Sequence, residues 1–167
     1  MAKAAKTLTT RNDVPSNAKQ VSINVLQSCL VDGIDLYNAT RQAHWNVKGP
    51  HFGQLHVLFE GFYNDLNEST DGLAERIVQL GGTAMGTTQT LSSTRLPAYP
   101  TDLYAGMDHV KALADRYAMV AKSLREGIDQ TDEAGDADTA DLLTEQSRAT
   151  DKMLWMIEAH LPHDTAP

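Results

Sequence analysis

One connection constrains this chain more than any other feature of it. Residues 83–101, TAMGTTQTLSSTRLPAYPT, carry no sustained apolar period and lie between two pairs of long helical segments. Before them, Ile23, Leu26, Leu30, Ile34, Tyr37, Arg41 and His44 recur at spacings of three and four, with Pro15-Ser16 offering a start and Ser16 a cap. That stripe stops at Gly49-Pro50, and Leu55, Phe59, Phe62, Leu66, Leu73, Ile77 and Leu80 resume it until Gly81-Gly82. After the connection, a third segment from Asp102 to about Gln130 holds Val110, Leu113, Tyr117, Val120, Leu124 and Ile128 in helical phase. A fourth follows the acidic loop TDEAGDAD, from about Thr139 to His160. Helices of about 30 residues are roughly 45 Å long. At about 3.3 Å per residue, the connection can run the full length of such a helix and still contain a helical turn.

Two tight helical hairpins joined by one long crossover predict an all-α chain, a ferritin-like four-helix bundle with a short helix in the crossover between helices 2 and 3. An up-down-up-down bundle would need only short loops. The expected organisation is a flexible basic arm over 1–14, the bundle over 15–162 and a tail over 163–167. Hydrophobic residues are 41% of the chain, enough for one sizeable core, and no apolar run reaches the roughly 18 residues of a membrane span. A lone Cys29 excludes an intrachain disulfide or a multi-cysteine metal site within one subunit. No secretory signal is visible in MAKAAKTLTT, so the cytoplasm is the expected compartment.

A Glu-x-x-His motif on each of two helices would mark a carboxylate site inside a single bundle; the chain has none. The candidates gather instead around the first hairpin. His44 and His51 flank Gly49-Pro50, and His56, Glu60, Asp71 and Glu75 follow on the second segment. At roughly 100° per residue, those last four share one helix face. Asp71 and Glu75, at i and i+4, can bind one cation together; the same pair also reads as a solvated face, and His44 as a core or interface residue. Along a straight helix His56 and Asp71 are roughly 22 Å apart, against metal–ligand bonds of about 2.0–2.2 Å. One chain cannot bridge that distance. Two chains meeting antiparallel about a two-fold axis near the middle of the second helix can, with His44 and His56 of one facing Asp71 and Glu75 of the other, twice by symmetry. Two imidazoles and two carboxylates suit Fe(II), Mn(II) or Zn(II), with iron favoured where open positions meet an oxidant.

The stretch Gln42-Ala43-His44-Trp45-Asn46, then Gly49-Pro50, then His56 twelve residues after His44, resembles the Dps family, the mini-ferritins of starved bacteria. So does Asp71-Gly72-Leu73-Ala74-Glu75-Arg76 running into Gln79-Leu80-Gly81-Gly82, and the likeness extends from Thr10-Arg11-Asn12-Asp13 through Ala114-Asp115-Arg116-Tyr117 to Trp155. The resemblance implies a hollow homododecamer with ferroxidase sites at its two-fold interfaces. His44 and His56 would be ligands from one subunit, Asp71 and Glu75 from its neighbour. Glu60, where the family often has Asp, would serve a second, weaker metal position. Trp45 would be the family tryptophan beside the iron, an electron donor or radical trap; interface packing is its other reading. His51 stands where the family is not expected to have histidine, and reads as an extra ligand or as nothing. Fe(II) would be oxidised by hydrogen peroxide, preferred over dioxygen, and ferric oxide stored in the shell, protecting DNA.

Charge bears on entry and on DNA. The chain carries a formal −8 at pH 7. Asp132, Glu133, Asp136, Asp138 and Asp141 resemble the acidic three-fold pore of the family, with Asp136 and Asp141 the favoured pair; Asp136 or Asp138 also reads as a helix cap. Residues 1–12 hold Lys3, Lys6 and Arg11 and no acid. The alternative function is therefore a nucleoid-compacting protein that grips DNA through these arms by multivalency. An acidic body repels DNA, so the expected binding is weak and secondary to iron chemistry.

Overall fold

The computed structural model describes residues 7–162. Among them the chain forms four α-helices: α1 (Ser16–Asn46), α2 (Phe52–Gln79), α3 (Gly106–Glu133) and α4 (Ala137–Glu158), with one 3-10 turn at Thr90–Ser93 inside the crossover. The ferritin-like connectivity is as expected. The helix bounds shift slightly: Pro15 rather than Ser16 takes the cap position of α1, with no side-chain cap, and α3 begins at Gly106 rather than Asp102.

The α2 stripe is buried throughout, from Leu55 to Leu80. In α1 the core face differs from the apolar stripe. Leu26 and Leu30 are buried, but Ile23, Ile34, Tyr37 and Arg41 are only half-buried. Small and polar side chains complete the inner face: Ser22, Cys29, Asp32, Gly33, Thr40 and Ala43. The reason is close approach. A Cβ on Gly33 would meet Thr70 Cγ2 of α2 at 2.9 Å, so bulk at this level is excluded. Thr40 can be buried because its hydroxyl bonds to the Leu36 carbonyl at 2.8 Å and lies 3.1 Å from the Tyr117 hydroxyl.

The crossover is fastened along α1 by polar side chains. Gln27 exchanges two hydrogen bonds with the Met85 backbone, at 2.8 and 2.9 Å. The buried Asp32 carboxylate accepts from the Arg95 amide at 2.9 Å and from its guanidinium at 2.6 and 2.7 Å. Asp35 accepts from Thr94 and, at 2.9 Å, from the buried Arg116 of α3, which also donates to the Pro97 carbonyl. At the far end the Tyr99 hydroxyl lies 2.7 Å from Nδ1 of buried His109, whose imidazole burial holds below the usual range.

The part of the expected free arm that the structure describes is anchored. The Leu8 amide donates to the Gly81 carbonyl at 2.7 Å, and Lys19 donates to Asn12 and Thr10. Gly81 sits at φ +90°, and a Cβ there would collide with the Leu8 carbonyl, so this contact requires glycine. Lys3 and Lys6 lie outside the described residues.

Candidate metal centre

The tight hairpin between α1 and α2 places His44 against His56. Lys48 holds the turn from outside: its amide donates to the Tyr104 carbonyl at 2.8 Å, and its carbonyl accepts from the Gly106 amide at 3.2 Å. The imidazoles stack with centroids 3.8 Å apart and planes 19° from parallel. His44 Nδ1 lies 2.8 Å from the His56 carbonyl oxygen, and His56 Nδ1 lies 2.9 Å from the His44 carbonyl oxygen. A carbonyl only accepts, so each Nδ1 carries a proton, and in the neutral ring that arrangement puts the lone pair on Nε2. Two neutral imidazoles with oriented, basic Nε2 atoms are what a divalent cation needs.

Aromatic side chains enclose the pair. Tyr63 meets His44 edge-on at 5.3 Å and Tyr37 at 6.0 Å, and Phe52 lies 5.1 Å from His56. The Tyr63 hydroxyl is 3.5 Å from Glu60, which is exposed. Trp45 is 62% exposed and points away from the core. The Arg41 guanidinium lies over three rings, 4.7 Å from Trp45, 5.1 Å from Tyr37 and 5.9 Å from Tyr63. Sequence reading missed Tyr63, although its place seven residues after His56 puts it on the same face. It also took Arg41 only as one step of a stripe.

Asp71 and Glu75 do not join the histidines within the chain. The helix between them is unbroken, so the axial separation stands at roughly 22 Å, and among the described residues no three His, Cys, Asp or Glu side chains come together as a metal set. Both acids are exposed. Asp71 sits in a groove of about 490 Å³ with Leu30, Ile34 and Ala74, and Glu75 borders the adjoining hollow beside Val78. His51 is exposed at the start of α2 and makes no capping bond.

The acidic loop divides in two. Asp136 is 1% exposed, caps α4 by accepting from the Thr139 amide and hydroxyl, and pairs with Arg76 at 2.8 Å. Burial opposes its ionisation, but the Thr139 bonds and the Arg76 charge outweigh it and hold the carboxyl below its ordinary value. Its charge is paired inside the subunit, and of the two roles the sequence offered for Asp136 the structure shows the helix cap. Asp132, Glu133, Asp138 and Asp141 are exposed, as is Arg11.

The ferritin-like domain profile matches residues 23–165. The chain is 52% identical over 157 residues to the "DNA protection during starvation protein" of Agrobacterium fabrum, covering 93% of this chain and 97% of that one. Its backbone superposes on DpsA14 from Streptomyces coelicolor with a TM-score of 0.86 at 30% identity, over 97% of this chain and 100% of that one. It superposes equally well on the Dps protein of Vibrio cholerae O1, TM-score 0.86 at 28% identity, over 96% and 100% of the two chains. That structure is described as a member of a broad superfamily of ferritin-like diiron-carboxylate proteins.

Proposed function

The chain belongs to the Dps family of ferritin-like proteins, and on that premise we propose that it is a DNA-protecting mini-ferritin that oxidises Fe(II) and stores the ferric product. The observation that carries the reading is the reciprocal bonding of His44 and His56, which leaves two Nε2 lone pairs side by side on one subunit and the matching carboxylates, Asp71 and Glu75, out of their reach. A site completed across a two-fold interface resolves that separation. It makes assembly, as a homododecamer, a condition of activity. Glu60, one turn beyond His56, serves a second iron.

Iron is the substrate here. Neutral imidazoles bind Fe(II) without opposing its charge, and carboxylates stabilise the more highly charged ferric product. Hydrogen peroxide, or dioxygen in its place, is the oxidant; two Fe(II) ions give up one electron each, and the peroxide O–O bond takes both. Pairing the electrons suppresses the one-electron route to hydroxyl radical, and this protects DNA. Asp132, Glu133, Asp138 and Asp141 give entering cations an attractive path. DNA binding through Lys3, Lys6 and Arg11 is the second reading, weak and lost with modest salt because the body is acidic. In this reading the protein is cytoplasmic, with nucleoid association following only from those arms. The test is anaerobic Fe(II) loading followed by a peroxide pulse, with sizing in parallel. About two Fe(II) oxidised per peroxide in a particle of about twelve subunits is expected; oxidation no faster than in buffer, with the particle intact, overturns the proposal.

A further inference from the structure

We propose that Arg41 sets how easily Trp45 gives up an electron, so that the indole answers only strong oxidants. This deepens the reading of Trp45 as an electron donor beside the iron site and rests on it. Arg41 stands in a stripe otherwise made of Ile23, Leu26, Leu30, Ile34, Tyr37 and His44, a position where an apolar side chain would pack. Its guanidinium is half-buried among aromatic faces instead, within cation–π range of Trp45, Tyr37 and Tyr63. These rings run on to the metal ligands, Tyr63 meeting His44 edge-on at 5.3 Å.

The physical consequence is a matter of sign. Removing an electron from indole leaves a positive charge on the ring, and a fixed cation 4.7 Å away opposes it. Even with the screening of bulk water, that repulsion shifts the equilibrium for electron loss about 4-fold, and more where Tyr37 and Tyr63 exclude solvent. Hydroxyl radical still takes the electron: it is reduced to hydroxide as the indole becomes a radical cation, which then releases its N–H proton to water. A weak oxidant does not. Trp45 is thereby held in reserve for the radicals that escape the two-electron route. Arg41 is a positioning residue that acts through Trp45, with no contact to substrate required of it.

The test uses the assembled, metal-free protein with Trp155→Phe, which leaves Trp45 as the only indole. The indole is equilibrated with a phenothiazine radical cation, which takes one electron from Trp45 and returns to neutral phenothiazine; the equilibrium constant is read from the absorbance of the mediator radical. Arg41→Gln is expected to raise that constant about 4-fold or more, and Arg41→Lys, which keeps the charge, to stay within about twofold of the parent. An unchanged constant in the Gln variant, or a Lys variant that behaves like Gln, overturns the proposal. Circular dichroism and sizing confirm that each variant is folded and assembled. Because iron is absent, failure here leaves the ferroxidase reading standing, and a failed ferroxidase assay leaves this measurement intact.

Discussion

His44 and His56 are bonded to each other's backbone, not to each other's ring: each Nδ1 reaches the opposite carbonyl oxygen, at 2.8 and 2.9 Å. The hairpin that joins α1 to α2 therefore orients its own two imidazoles. Either ring can be removed without taking away the acceptor on which the other depends.

From this geometry, His44→Ala and His56→Ala should each abolish fast peroxide-driven iron oxidation while the particle stays assembled. Each loses one ring-to-carbonyl bond, about 1 kcal/mol of stability, and iron affinity falls more than tenfold. Stopped-flow absorbance of the ferric product, with sizing, checks both halves. An unchanged rate in the double variant would refute the ligand assignment.

The Asp32 carboxylate is buried and accepts three bonds from Arg95, a residue of the crossover. Asp32→Ala strands the Arg95 amide and removes one of the fastenings that hold the crossover to α1, leaving those of Gln27 and Asp35. We expect a loss of about 2–4 kcal/mol in urea unfolding, and Asp32→Asn, which keeps an acceptor, should recover part of it. Faster amide exchange over residues 83–101 would locate the damage.

Asp136 predicts the acid limb of the stability curve. Its folded carboxyl is held below the ordinary 3.8, so its contribution is fully present above that value and is lost as the pH falls through the lower folded one. Asp136→Asn should flatten the acid limb and loosen the start of α4. Asp141→Asn should leave stability within about 0.5 kcal/mol and slow iron entry instead, a difference readable by thermal melts beside uptake kinetics.

Cys29 is buried, and desolvation raises its thiol to about 11. At pH 7 the thiolate fraction is on the order of one in ten thousand, so the thiol survives peroxide doses that saturate the iron chemistry. Alkylation by iodoacetamide should be slow at pH 7 and accelerate toward pH 11. The raised value also stabilises the fold below about pH 9, a contribution lost as the pH climbs through about 11. Cys29→Ala should lack that share of the alkaline loss in denaturant titrations.

The α2 stripe, the glycine breaks and the length of the crossover were legible in the sequence because each is local. Leu55, Phe59, Phe62 and Leu66 repeat with the helix, and Gly49-Pro50 and Gly81-Gly82 end helices wherever they occur. The distance from His56 to Asp71 was legible for the same reason, since a helix converts residue number directly into length. That arithmetic keeps His56 and Asp71 of one chain from sharing a metal ion.

Side-chain surroundings were not legible. Periodicity weighs apolar character, so it put Ile34 and Tyr37 in the α1 stripe and overlooked Gly33, where α2 comes too close for bulk, and Thr40, whose buried hydroxyl is satisfied by Leu36 and Tyr117. Asp136 and Asp141 look alike in an acidic loop. Only the arrival of Arg76 from α2, sixty residues earlier, makes one a buried cap and leaves the other in solvent. Likewise the anchoring of Leu8 to Gly81 and the arrival of Tyr63 beside Arg41 depend on segments that meet only in the folded chain. Sequence by itself determined the helices, their order and the spacing of the proposed ligands, all consequences of backbone geometry and local propensity. Tertiary structure decided which charges are spent and which are free, because desolvation and pairing depend on neighbours that the order of residues does not name.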